Sequence, residues 1–220
     1  MTGLRQIGAR AIVGTALGLA LASGGTSAAA QGIPAAEYAA RRDSLATRLG
    51  SAVVVAFGAP APTSEAHGGQ LPAFRYLTGF LEPDAALVLV VRGGHASGTL
   101  YTVARDPRRA LYDGYLPDAT TIVRTTGLQA RTIADLRPAL DSLARSGLPL
   151  YTLRDFGGAD YAENDSLTRG VSFLRAFAAA HTGLELRDAH PVVDSLRARK
   201  SPAELALLRR AIDITVAGHR

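Results

Sequence analysis

The amino-acid sequence predicts an α/β fold, a mixed β-sheet flanked by helices. Two short runs, AVVVAF (52–57) and AALVLVV (85–91), are apolar and rich in β-branched residues, as buried strands are. Apolar residues at helical spacing mark the stretches before and after them. One strand pair, 85–91 and 99–104, is adjacent in sequence and reads as a hairpin, which makes the sheet mixed rather than all parallel.

The elements follow in order. Ile33 to Leu49 reads as a helix with Tyr38, Leu45 and Leu49 on one face, Arg41, Arg42 and Asp43 on another, and Gly50 as the stop. The strand 52–57 ends at Gly58, and a Pro/Gly/polar loop, 59–73, comes next. FRYLTGFLEPDA (74–85) reads as a loop with a tight passage at Gly79 and a turn at Pro83-Asp84 leading into the central strand. RGGHASG turns the chain into TLYTVA (99–104). Thr120 to Val123 reads as a further short strand, and a helix lies within Ile133 to Arg145, where Pro138 suits only the first turn. Leu148 to Leu153 is another strand, and Ser166 to Ala180 a helix with Leu167, Leu174 and Phe177 on one side and Gly183 as its stop. The last segment, from Ser201, opens with a capping box: Ser201 as N-cap, Pro202 at the first helical position and Glu204 three residues on. Leu205, Leu208, Ile212 and Thr215 then form an apolar stripe, widened by Leu207, Ala211 and Ile214.

Composition narrows the function classes. The chain has 220 residues, 47% of them apolar, so it can bury a core. Its net charge of +5 is spread along the sequence without a basic block, which argues against nucleic-acid binding. It contains no cysteine, which excludes disulfides, thiol catalysis, Cys-based zinc sites and a lipidated N-terminal cysteine. The first thirty residues read as a signal peptide. Arg5 and Arg10 form the positive region, Ala11 to Ala22 the apolar run, and Ala28-Ala29-Ala30 the cleavage site, with Gln31 as the first mature residue. The expected product is exported, periplasmic or extracellular, and meets a membrane only during export.

The search for chemistry is mostly negative. The sequence has no nucleophile elbow, phosphate-binding loop, dinucleotide fingerprint or HExxH motif. The five histidines, His67, His95, His181, His190 and His219, lack ligand spacing. His181 and His190 could meet near Asp188 and Asp194, but an ordinary surface placement is the preferred reading. Arg108, Arg109, Asp113 and Tyr115 could bind an anionic or peptide ligand, against the simpler reading of a loop held by Arg–Asp pairs.

Four segments together carry a family resemblance: EYAARRDSLATRLGSAVVVAFGAP (37–60), YLTGFLEPDAALVLV (76–90), DPRRALYDGYLPD (106–118) and PVVDSLRARKSPAELALLRRAIDIT (191–215). In this order they resemble the N-terminal domain and domain junction of Xaa-Pro aminopeptidases, in the creatinase/aminopeptidase P superfamily. The motif positions are Tyr76, Thr78, Gly79, Phe80, Pro83 and Asp84 in one segment and Lys200, Ser201, Pro202 and Glu204 in another. The resemblance implies an α/β domain, itself non-catalytic, that covers a substrate cleft and helps build oligomers. It further implies a pita-bread catalytic domain with two divalent metals, typically manganese, that removes an N-terminal residue preceding proline. The sequence departs from the family ahead of Phe74, where GGQLPAF lacks the Arg, Ser and Asp of many members.

The expected organisation is therefore a signal peptide at 1–30, an aminopeptidase P N-terminal-like domain at 31–195, and at 196–220 the junction and first helix of a catalytic domain that is otherwise missing. No catalytic, cofactor-binding or metal residue is assigned to this chain. The expected partners are that catalytic domain, another copy of the chain, or a peptide. The alternative function is a self-standing secreted module for protein or peptide binding or oligomerisation, without enzymatic activity.

Overall fold

The computed structural model describes residues 32–61, 69–103, 108, 114, 116–153 and 169–219. The expected cleavage site at Ala30 and Gln31 lies outside them, as do His67, Arg109, Asp113, Tyr115 and Leu167.

Helix α1 (Ala35–Leu49) leads into strand β1 (Ala52–Phe57), and α2 (Pro72–Thr78) precedes the hairpin of β2 (Ala86–Arg92) and β3 (His95–Thr102). Then come α3 (Ala119–Thr126), β4 (Gln129–Thr132), a single 3-10 turn, α4 (Leu136–Ala144), β5 (Leu150–Thr152), α5 (Arg169–Ala180), β6 (Leu186–Asp188), α6 (His190–Ala198) and α7 (Pro202–Gly218). Among the described residues, six strands form one sheet in the order β4-β3-β2-β1-β5-β6. β1 pairs antiparallel with β2 and parallel with β5, so the sheet is mixed as expected. β3 and β4, and likewise β5 and β6, pair in parallel.

Alternation along the strands divides the core in two. Val54 sits opposite Leu89 and Val55 opposite Val88. Ala52, Val54, Leu87, Leu89 and Val91 face one cluster with Leu45, Phe74, Leu77, Ile122 and Val193, which come from α1, α2, α3 and α6. Val53, Val55 and Val88 face the other, with Leu136 and Leu140 of α4 and Leu174 and Phe177 of α5. A sheet buried on both faces needs strands apolar at every position, which is why β1 and β2 read as continuous apolar runs.

Several expectations are corrected. Thr120 to Val123 is helix, not strand: Asp118 Oδ1 accepts the N–H of Thr121 at 2.7 Å, and Gly127 closes α3 at φ 69°. The cap at one end and the left-handed glycine at the other override the β-branched content of that run. Residues 72–78, read as loop, form α2, with Pro72 in its first turn and Gly79 as its left-handed stop. The hairpin turn is only Gly93-Gly94, so His95 is the exposed first residue of strand β3 rather than part of a loop. Arg41 and Arg42, placed on a polar face of α1, are 8% and 3% exposed.

Candidate functional site

The two buried arginines of α1 organise everything around them. Arg42 donates from Nη1 to the carbonyl of Leu77 at 2.9 Å and from Nη2 to that of Thr126 at 3.0 Å. Both acceptors are in the last turns of helices, α2 and α3, where carbonyls lack intrahelical partners and the helix dipole favours a cation. Burial draws the Arg42 guanidinium down to about 10, which leaves it charged at neutral pH.

The two helix ends are built alike. Thr78 Oγ1 donates to the carbonyl of Phe74 at 2.8 Å and accepts the N–H of Phe80 at 3.0 Å. Thr126 Oγ1 donates to that of Ile122 at 2.7 Å and accepts the N–H of Leu128 at 3.1 Å. Each threonine is followed by a left-handed glycine and a buried apolar residue. A Thr-Gly-apolar triplet thus stops each helix, and Arg42 clamps the pair.

Arg41, one residue earlier, faces the junction. Its guanidinium lies 5.2 Å from the Tyr38 ring centroid and 4.4 Å from that of Tyr76, within cation–π reach of both. Nη1 donates to the Tyr76 carbonyl at 3.1 Å, while Nη2 donates to Glu37 Oε1 and lies 3.4 Å from Glu204 Oε1. Ser201 Oγ donates to Glu37 Oε1 at 2.7 Å. The expected capping box is present, with Glu204 N–H donating to Ser201 Oγ at 3.1 Å and Ser201 N–H to Glu204 Oε2 at 2.9 Å. Burial pushes the Tyr38 and Tyr76 hydroxyls above the usual tyrosine value, so both rings stay neutral beside the cation.

Residues from two distant sequence segments therefore meet at Arg41. From the first, Tyr76 stacks on it, and Gly79 leaves room for Tyr38. From the second, Glu204 reaches it directly and Ser201 through Glu37, with Pro202 at the first helical position and the Lys200 ammonium donating to the Arg197 carbonyl. A groove of about 560 Å³ runs between these walls, lined by Tyr38, Arg75, Tyr76, Lys200, Glu204 and Leu207. The remaining motif residues serve the fold. Thr78 and Phe80 finish α2 inside the core, and Asp84, at φ 56°, turns the chain into β2 while its N–H donates to the Ala59 carbonyl at 2.9 Å. Pro83 lies in the bend before it, away from the junction groove.

His181 and His190 do not share a site. His181 Nε2 lies 2.8 Å from Asp141 Oδ1, whereas His190 Nε2 is 3.7 Å from Asp194 Oδ2 and its backbone N–H donates to Asp188 Oδ1. The Asp141 carboxyl is held below its ordinary value, first by the His181 hydrogen bond and then by Arg137.

A family model described as "Aminopeptidase P, N-terminal domain" matches residues 38–151, just over half of the chain. The chain belongs to the aminopeptidase P N-terminal domain family. Among curated proteins it is 30% identical over 192 residues to Xaa-Pro aminopeptidase of Escherichia coli (strain K12), covering 83% of this chain and 43% of that protein. Xaa-Pro aminopeptidase of Haemophilus influenzae is 26% identical over 147 residues, covering 66% of this chain and 31% of that protein. Among solved structures, aminopeptidase P of E. coli with the inhibitor Pro-Leu superposes with a TM-score of 0.67 at 28% identity, covering 85% of this chain and 44% of that one. Proline aminopeptidase P II of Yersinia pestis gives 0.66 at 26%, with 85% and 44% covered. The chain thus spans less than half the length of the relatives it matches.

In this aminopeptidase P N-terminal domain the family match opens at Tyr38, the residue that packs on Gly79, and includes both arginines. Family membership implies a divalent metal in the wider family. Among the described residues of this domain, no three His, Asp or Glu side chains are grouped to hold one. Those residues do not fit a metal ion.

Reading the sequence missed the roles of Glu37, Arg41 and Arg42. A signal was present: Arg41 and Arg42 follow Tyr38 by three and four residues and precede Leu45 by four and three. That spacing places them on the apolar stripe of α1 rather than opposite it.

Proposed function

We propose that this chain is the N-terminal, non-catalytic part of an exported Xaa-Pro aminopeptidase-like metallopeptidase. The observation that carries the reading is the convergence on Arg41 of the aromatic segment around Tyr76 and the capping box that starts α7. A helix begun this firmly then presents an apolar stripe to solvent: Leu205, Leu208, Ile212, Ile214 and Val216 are all exposed. Such a stripe suits the surface of another domain. The resemblance of residues 191–215 to the domain junction of Xaa-Pro aminopeptidases supports a pita-bread domain in that place.

In this reading the substrate, a peptide with proline in second position, and the metal ions, manganese by family habit, belong to the catalytic domain. The N-terminal domain shapes and covers the cleft. Export rests on the positive region, apolar run and Ala28-Ala29-Ala30 site of the first thirty residues. The test is to assay the purified chain with manganese and an Xaa-Pro peptide, and to measure metal after dialysis. No turnover and no retained metal are expected; turnover with tightly held manganese would overturn the non-catalytic role.

A further inference from the structure

We propose that Glu37 and Arg41 form a latch that sets the direction in which α7 leaves the N-terminal domain, which makes Arg41 a positioning residue. That α7 in turn carries a catalytic domain rests on the reading above; the latch itself is a property of this chain.

The argument starts from how little else holds α7. Its described residues include none that is buried; Ala203, Glu204 and Leu207 are half-buried, and from Leu208 onward every described residue is exposed. The helix has 17 residues, so it is about 25 Å long at 1.5 Å per residue. Anchored by its first turn alone, it is a lever: a tilt of roughly 10° moves the far end by about 4 Å.

The anchor is a set of charge-assisted bonds rather than apolar packing. Glu37 accepts from Arg41 of its own helix and from Ser201 of the α7 cap. Arg41 reaches Glu204, whose other oxygen accepts the Ser201 N–H. Both side chains of the capping box are therefore gripped from α1, Ser201 by a directional hydrogen bond to Glu37 at 2.7 Å and Glu204 by an ion pair with Arg41 at 3.4 Å. The guanidinium lies within cation–π reach of both the Tyr38 and Tyr76 rings while its nitrogens meet the acceptors. Apolar contact would tolerate sliding, whereas this geometry fixes an angle. The next residue of α1, Arg42, binds the helix to the domain body through the Leu77 and Thr126 carbonyls, so the latch stands on a rigid base.

The chain contains no cysteine, so paired spin labels can be placed cleanly. Cysteines at Ser142 on α4 and Ala217 on α7, both exposed, report the lever; a pair at Ser142 and Arg92 reports the domain body. Pulsed dipolar distances are measured on the full chain and on Arg41→Gln, Arg41→Lys and Glu204→Gln. Glu204→Gln is the discriminating variant, because glutamine still completes a capping box but gives the guanidinium no charge to hold.

The expected result is a Ser142–Ala217 distribution roughly twofold broader in Arg41→Gln and Glu204→Gln, as local openings widen once directional bonds are lost. Arg41→Lys should broaden it as well, since an ammonium cannot serve the same acceptors in a plane. The Ser142–Arg92 distance should not change. An unchanged Ser142–Ala217 distribution in Glu204→Gln would overturn the latch, as would an unmodified chain already as broad as the variants. If Arg41→Gln fails to fold, Glu204→Gln and Arg41→Lys decide alone. None of these outcomes depends on peptidase activity, so failure of the latch and failure of the functional reading remain distinguishable.

Discussion

Gly79 and Tyr38 compete for one volume: a Cβ built on Gly79 would lie 2.3 Å from two carbons of the Tyr38 ring. Gly79 also stands at φ 67°, where any other residue is strained. Gly79→Ala is therefore expected to cost about 2–5 kcal/mol, the sum of backbone strain and a forced ring displacement. Gly147→Ala is the control, with φ 71° and nothing within 4 Å; it should cost only about 1–2 kcal/mol. Urea denaturation of both variants checks the difference.

Arg42 satisfies two buried carbonyls from two helices. Arg42→Met would leave both without a partner and is expected to destabilise by about 2–6 kcal/mol, at roughly 1–3 kcal/mol per orphaned group. Arg42→Lys should recover part of this, because one ammonium cannot span both acceptors well. Equilibrium unfolding measures both, and a neutral Arg42→Met would show that the clamp contributes nothing.

The Asp141 carboxyl sits below its ordinary value because of His181 and then Arg137. A depressed carboxylate contributes stability that is full above its unfolded value and is lost as pH falls through its folded value. Stability of the parent should therefore decline as pH falls below the ordinary aspartate range, and Asp141→Asn should show a shallower decline. Denaturation midpoints across that range test it; parallel curves would remove Asp141 from the account.

The α7 stripe is expected to be dispensable for the fold and responsible for self-association. Ile212 is 60% exposed, so Ile212→Asp should change stability by no more than about 0.5 kcal/mol. Leu45, with no exposure, should cost about 2–5 kcal/mol when cut to alanine. Light scattering should show less association for Ile212→Asp than for the parent. Greater association, or unfolding, would place the stripe inside this domain's own core.

What the sequence revealed follows from where each signal resides. β1 and β2 were legible because burial on both faces demands an unbroken apolar run. β4 and β6 were not, because each is a short strand at the sheet edge with mostly exposed residues; QART and LRD carry no period to read. α3 was misread because Thr-Thr-Ile-Val favours a strand locally, whereas the ends of the element, Asp118 and Gly127, decide it. The capping box at Ser201 was legible because all its parts lie within four residues. The Arg41 site was not, since its partners come from the chain 35 residues ahead in the case of Tyr76 and 164 residues from Glu37 in the case of Ser201. Tertiary contacts alone assemble it.

The most direct test of the account is turnover by a chimera. Residues 32–220 would replace the matched part of E. coli Xaa-Pro aminopeptidase, to which the chain is 30% identical. If this domain is the N-terminal part of such an enzyme, the chimera should release the N-terminal residue from an Xaa-Pro peptide, as the unmodified E. coli enzyme does in the same assay. A folded, soluble chimera that binds its metal yet shows no turnover beside an active parent would contradict the account.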